Sequence, residues 1–189
     1  MTMKLRSILA AACALLLGAC ATQTPTIPPV ASVDLSRFMG DWYVTAHIPS
    51  MMERDAYDAI ETYRLDGDGK IRTTFRQRKG SFDAPIETME PVGTVVEGTN
   101  NAVWGMQFVW PIKAEYVIVD LAPDYSRTII GRSKRDYVWL MARTPSIPED
   151  DYAAHIERIR DLGYDVSKIR RVPQSAADPA RLPGVPQVE

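Results

Sequence analysis

Cysteine and histidine are nearly absent from this chain of 189 residues, which holds two of each. Both cysteines, Cys13 and Cys20, fall within the first twenty residues, so the rest of the chain must rest on its core rather than on disulfides. Two histidines, His47 and His155, without further cysteines argue against a dedicated transition-metal site. A dominant sign of charge is missing too. Lys and Arg number 22 against 24 Asp and Glu, a net of −2 with no dense basic stripe. Such a chain is a poor candidate for nucleic-acid binding. The apolar run Ile8–Ala19 falls short of the roughly 20 residues that a membrane-spanning helix needs.

What that short run does fit is an export signal. Lys4 and Arg6 give it a positive start, and residues 1–19 read as a signal segment. Leu17-Gly18-Ala19-Cys20 resembles the bacterial lipobox, in which the cysteine is lipidated and becomes the new N-terminus. Cys13 is a poor rival, because cleavage there leaves too little apolar sequence. The resemblance implies an acylated Cys20 and peripheral attachment to a membrane. Removing Lys4 and Arg6 takes the formal charge from −2 to −4, since residues 1–19 carry no acid.

Composition divides the remainder into three. Residues 20–32, with Pro25, Pro28 and Pro29 among small residues, read as an extended tether. Residues 173–189, with four prolines, read as a loose tail. Between them, 33–172 is a comfortable single-domain length without internal repeats. Eight strand-like runs recur there with turn signals between them: Trp42–Ile48, Ala59–Leu65, Lys70–Gln77, Glu87–Val96, Ala102–Val109, Tyr116–Leu121, Thr128–Gly131 and Tyr137–Ala142. Asp66-Gly67-Asp68-Gly69 is a hairpin signal. It faintly suggests a calcium loop, but Lys70 and Ile71 occupy the next ligand positions. One helix follows. Ser146 and Glu149 have capping-box spacing, Tyr152, Ile156 and Ile159 form a stripe, and Gly163 supplies the stop. A last extended piece, Val166–Val172, is placed to pair at an edge.

The expectation is therefore an all-β fold, an eight-stranded antiparallel up-and-down β-barrel with one C-terminal helix packed outside. Alternation points Trp104, Met106 and Phe108 to one face, and likewise Tyr137, Trp139 and Met141. An eight-stranded barrel with such a face is either filled by side chains or holds one small ligand. Alternation alone does not choose.

Three features add a family resemblance. Gly40-Asp41-Trp42 matches the G-x-W motif of lipocalins, and Arg143 stands where they place an arginine packed over that tryptophan. A guanidinium on an indole gains a cation–π contribution while its donors satisfy carbonyls at the barrel's narrow end. Met52-Glu53-Arg54 and Ala59–Tyr63 resemble the opening of bacterial lipocalins, and Arg135-Asp136-Tyr137-Val138-Trp139-Leu140 with Ala142-Arg143-Thr144-Pro145 resembles their closing strand. Tyr164–Lys168 resembles the segment after their helix. The turn Ala122-Pro123-Asp124-Tyr125 departs from the family by displacing an acid, and Trp110 stands before Pro111 where relatives carry a smaller residue. That tryptophan either narrows the mouth or contacts a partner.

The resemblance implies a non-catalytic carrier of fatty acids or lysophospholipids, anchored through Cys20 on the periplasmic side of the outer membrane. It implies lipid transport, storage or membrane maintenance, no cofactor, and leaves a homodimer open. Ala21 is not the aspartate that marks inner-membrane retention. Trp104, Met106, Phe108, Tyr116, Trp139 and Met141 are the expected cavity residues, with Phe75, Met89 and Ile118 beside them; Gly40, Trp42 and Arg143 are structural. Alternatives are an enzyme acting on a lipid-like substrate through His47, a structural lipoprotein with a filled barrel, and haem or tetrapyrrole binding. The serines near the strands carry no nucleophile-elbow motif.

Overall fold

Strands and turns alternate through most of residues 27–175, the part of the chain that the computed structural model describes. The strands are β1 (Gly40–Ile48), β2 (Ala56–Leu65), β3 (Ile71–Lys79), β4 (Ile86–Met89), β5 (Val92–Val95), β6 (Val103–Val109), β7 (Ile112–Leu121), β8 (Arg127–Gly131), β9 (Val138–Ala142) and β10 (Arg170–Arg171). Helices α1 (Leu35–Phe38) and α2 (Glu149–Asp161) flank the β1–β9 series. Every neighbouring pair is antiparallel, and β9 returns to β1 through Tyr43↔Ala142 to Ile48↔Val138. The sheet closes on itself, which leaves its central strands no open edge.

Proline splits one expected strand. Glu87–Val96 is two pieces, because Pro91 has no N–H to give the ladder. Its carbonyl still accepts from the Thr73 amide at 3.1 Å, so β4 and β5 act as one bent strand beside β3. Counted so, the barrel has eight strands.

The β2–β3 connection is the expected hairpin. Asp66 accepts from the Gly69 amide at 2.9 Å, and Gly69 takes φ +77°. Both acids are already engaged, Asp68 by Lys70 and Asp66 by Arg72.

Period-two alternation sorts side chains into two cores. Trp139 and Met141 of β9 and Tyr116 and Ile118 of β7 point into the barrel. Val138, Leu140, Val117 and Val119 point out, where Tyr152, Ile156 and Ile159 of α2 cover the sheet. Glu149, Asp150 and Asp151 complement the helix dipole. The expected capping box does not form. Pro148 occupies the N-cap without a side-chain bond, and Glu149 reaches Arg171 of β10 at 2.6 Å instead.

Both ends of the domain run further than composition implied. Ile27 is buried against Val119 and Tyr164, and the Val30 amide donates to the Ile118 carbonyl at 2.9 Å, so the proline-rich stretch from Ile27 to Ser32 lies on the barrel wall. Pro173 accepts from the Asp58 amide at 2.9 Å, and Gln174 donates to the carbonyls of Val44 and Ala59, so the tail begins as packed chain. The signal segment, Cys20 and residues 176–189 lie outside the described residues.

Candidate functional site

One end of the barrel is sealed. The Arg143 guanidinium lies 3.8 Å from the Trp42 ring centroid. Its nitrogens donate to the carbonyls of Asp41, Arg37, Phe38 and Met39 at 2.7 to 3.0 Å. Burial pulls its pKa down to about 10, with Asp41 opposing, so it stays charged at neutral pH. Gly40, at φ +94°, turns the chain beneath it, and a Cβ there would stand 3.5 Å from the guanidinium. A hydrogen bond from the Trp42 indole to the Phe38 carbonyl, 2.8 Å, draws α1 across the opening as a plug.

Above the plug the interior is solid. Phe38 packs against Trp42, Tyr63 and Trp104 with ring centroids 4.9 to 5.8 Å apart. Trp104 stacks on Tyr116 at 4.9 Å and 5°. Three expected cavity residues, Trp104, Ile118 and Met141, belong to this packed half and do not line the cavity. Alternation predicts which face a side chain takes but not its depth along the strand.

The other half is hollow. A cavity of about 380 Å³ opens at the far end, within the roughly 300–1,000 Å³ typical of small-molecule sites. Phe75, Met89, Met106, Phe108, Tyr116 and Trp139 line it, together with Met51, Met52, Pro91 and Tyr137. Filled barrel and hollow barrel, alternatives in the sequence, each describe one half.

Acids stand in this apolar wall. Glu61 lies in register with Trp42 on one side and Phe75 on the other. Tyr63 donates to its Oε2, and the Tyr63 and Tyr116 hydroxyls are 2.7 Å apart. Burial pushes the Glu61 carboxyl up to about 8, and the Glu53 carboxylate adds to the shift. Burial also raises the Tyr116 hydroxyl well above its usual value. Glu53, from the β1–β2 loop, accepts from the Trp139 indole at 2.8 Å and from the Ser50 amide at 3.3 Å. Arg132 lines the mouth, 3.4 Å from Asp136 and over the Tyr137 ring. Sequence analysis missed Glu61. Its phase with Ala59 and Tyr63, which share its face of β2, was the signal.

Apolar side chains crowd the rim. Met51, Met52, Phe82, Phe108, Val109, Trp110 and Ile112 are exposed, and all belong to loops or strand ends around the open mouth. Trp110 is 82% exposed and is not part of the lining, so it does not narrow the opening.

Neither histidine lines the cavity. His47 is 1% exposed, its ring nitrogens have no hydrogen-bond partner among the described residues, and burial, with Arg170 nearby, lowers its pKa to about 4. His155 Nδ1 meets the Asp151 carbonyl of its own helix at 2.6 Å.

A closed antiparallel barrel, stoppered at one end and cupped at the other, defines a calyx. A sequence profile of the lipocalin-like domain matches residues 33–174, and the chain belongs to that family. Among its relatives, temperature-induced lipocalin-1 of Arabidopsis thaliana is 27% identical over 84% of this chain and 88% of its own length. Outer membrane lipoprotein Blc of Vibrio cholerae is 26% identical, covering 90% of this chain and 99% of its own. The same lipoprotein from Escherichia coli K12 is 27% identical over 88% and 95%. Of solved structures, insecticyanin from the tobacco hornworm Manduca sexta shares the fold, with a TM-score of 0.63 and 20% identity over 82% of this chain and 87% of its own.

Proposed function

We propose that this protein is a lipid-anchored lipocalin of the outer membrane that holds a single-chain lipid, a fatty acid or lysophospholipid, in its half-barrel cavity. The role is transport, storage or membrane maintenance. The observation that carries this reading is the apolar cavity open at one end of an otherwise sealed barrel. Burying an acyl chain contributes about 0.8 kcal/mol per methylene, so a 16-carbon chain gains on the order of 10 kcal/mol before ordering costs. Met89 and Met106 suit a variable tail, being flexible and polarizable.

The anchor rests on the lipobox resemblance at Cys20 and on the outer-membrane lipoproteins among the relatives. Ile27 packs beside Gly131, the last residue of β8 at the mouth end. Six residues stand between it and Cys20, a reach of roughly 25 Å at most when extended. An acyl group so tethered holds the apolar rim close to the leaflet from which a lipid enters.

The test is a titration of the delipidated protein with palmitate and with lysophosphatidylethanolamine, followed through the Trp139 indole in the cavity wall. Saturable quenching is expected. A flat response to both, with no lipid in organic extracts of the native protein, would remove the proposal. Replacement of Cys20 by serine is expected to release the protein from the membrane fraction.

A further inference from the structure

The interior of the cavity is polarised in a way that a carrier for bare hydrocarbon does not require. Arg132 is the single cation among the described lining residues, and Asp136 already pairs with it. Arg132 forms no ion pair with Glu53 or Glu61 among the described residues, although its own buried Nε has no hydrogen-bond partner there. Glu53 is satisfied by the Trp139 indole and the Ser50 amide.

Glu61 is not. Its Oε2 accepts from Tyr63, and Oε1 has no protein partner among the described residues. The hydroxyl chain behind it is spent. Tyr63 gives its one proton to Glu61, so Tyr116 must give its own to Tyr63, at 2.7 Å. What the cavity is offered at this point is Glu61 Oε1, which carries the carboxyl proton until the acid ionises, and the lone pairs of Tyr116. Phe75 is the cross-strand neighbour of Glu61, Tyr116 bonds the same Tyr63 hydroxyl, and Tyr137 and Trp139 line the same hollow.

An unpaired acid among aromatic faces is the chemistry that receives an organic cation. An ammonium donates to the carboxylate and is also attracted to ring faces. A fatty-acid carboxylate at the same depth meets the Glu53 carboxylate as a like charge, and Glu61 as a second one once its proton has left. We infer that Glu61 is a headgroup-selecting site, and that the amphiphile it favours carries a protonated amine at the end that enters the barrel. The inference rests on the lipid-carrier reading and narrows it to one class of headgroup.

Selection of this kind has a proton signature. Glu61 holds its proton at neutral pH in the empty cavity and must release it to pair with an ammonium, so amine binding strengthens as pH rises toward 8. The other titratable and charged groups that face the hollow are Glu53, Glu115, Tyr116, Tyr137 and Arg132. Glu53 is hydrogen-bonded on both oxygens, Glu115 accepts from the Ser133 amide and hydroxyl, and Tyr116 stays protonated.

The experiment compares hexadecylamine, hexadecanol and hexadecanoate, which share a chain and differ in head, against the full-length protein and its Glu61→Gln variant. The amine is expected to bind about tenfold or more tighter than hexadecanoate, as for a hydrogen bond to a charged group, and to tighten between about pH 6.5 and 8. In Glu61→Gln the preference and the pH trend should both collapse. If that variant fails to fold, infrared difference spectra of the unaltered protein decide, since amine binding must convert a protonated carboxyl band into carboxylate bands. Equal binding of acid and amine, an unchanged preference in Glu61→Gln, or no carboxyl conversion overturns the inference while leaving lipid binding intact. Failure of all three ligands to bind overturns the carrier reading as well.

Discussion

The Trp139 indole donates to the Glu53 carboxylate at 2.8 Å, tying the last barrel strand to the loop after the first at the cavity mouth. The two residues are 86 positions apart, and both line the hollow. Removing the acceptor leaves an indole N–H facing a mostly apolar space. Glu53→Ala should therefore cost about 1–3 kcal/mol and speed amide exchange in residues 49–55. Urea unfolding and hydrogen exchange check this. Unchanged protection of the loop would show that the bond does not hold it.

Arg143→Lys tests the sealed end. Lysine keeps the charge but cannot spread donors over the carbonyls of Arg37, Phe38, Met39 and Asp41, nor lie flat on Trp42. A loss of about 2–4 kcal/mol is expected, because buried carbonyls are left unpaired. A midpoint within error of the parent protein would mean that the plug is held by packing alone.

Gly131→Ala probes the outer wall. A Cβ at that position would stand 2.8 Å from the Tyr164 hydroxyl and 3.0 Å from Ile27 Cδ1. The hydroxyl accepts from the Arg132 amide at 2.7 Å, so it cannot simply swing away. Destabilisation of about 1–3 kcal/mol is expected from overpacking, with loosening of the segment that starts at Ile27. Gly67→Ala, where a Cβ meets nothing within 4 Å, is the control.

Stability should fall with rising pH above neutrality. Glu61 is raised from 4.5 to about 8, so the folded state binds the extra proton, and this stability is complete below 4.5 and lost as pH passes 8. His47 is lowered from 6.5 to about 4, so its contribution is present above 6.5 and lost as pH falls through 4. The two oppose each other between 4.5 and 6.5, and Glu61 acts alone between 6.5 and 8. Denaturant midpoints measured across pH 6.5–8 should decline in the parent protein and stay level in Glu61→Gln.

Serine at Trp110 and Ile112 should weaken adsorption to phospholipid vesicles several-fold without moving the unfolding midpoint, because both side chains are largely exposed. Co-sedimentation measures the first and urea titration the second. Adsorption as strong as that of the parent would remove the rim from the loading step.

Much was written locally. Period-two alternation with turn signals between runs determined the strands and their faces, and the amphipathic stripe on 149–161 determined the helix, because each depends on residues close in the chain. The G-x-W motif with Arg143 marked the sealed end, since a cation over an indole and under several carbonyls demands those residue types. Depth was decided only by closure. Trp104 and Phe108 share a face of β6, yet one is locked in the aromatic stack and the other stands at the mouth, because α1 plugs one end and nothing fills the other. The environment of Glu61 was decided there too. An acid in a strand is ordinary until Trp42, Phe75 and Tyr116, brought from three other strands, set apolar rings around it and leave it without an ion pair.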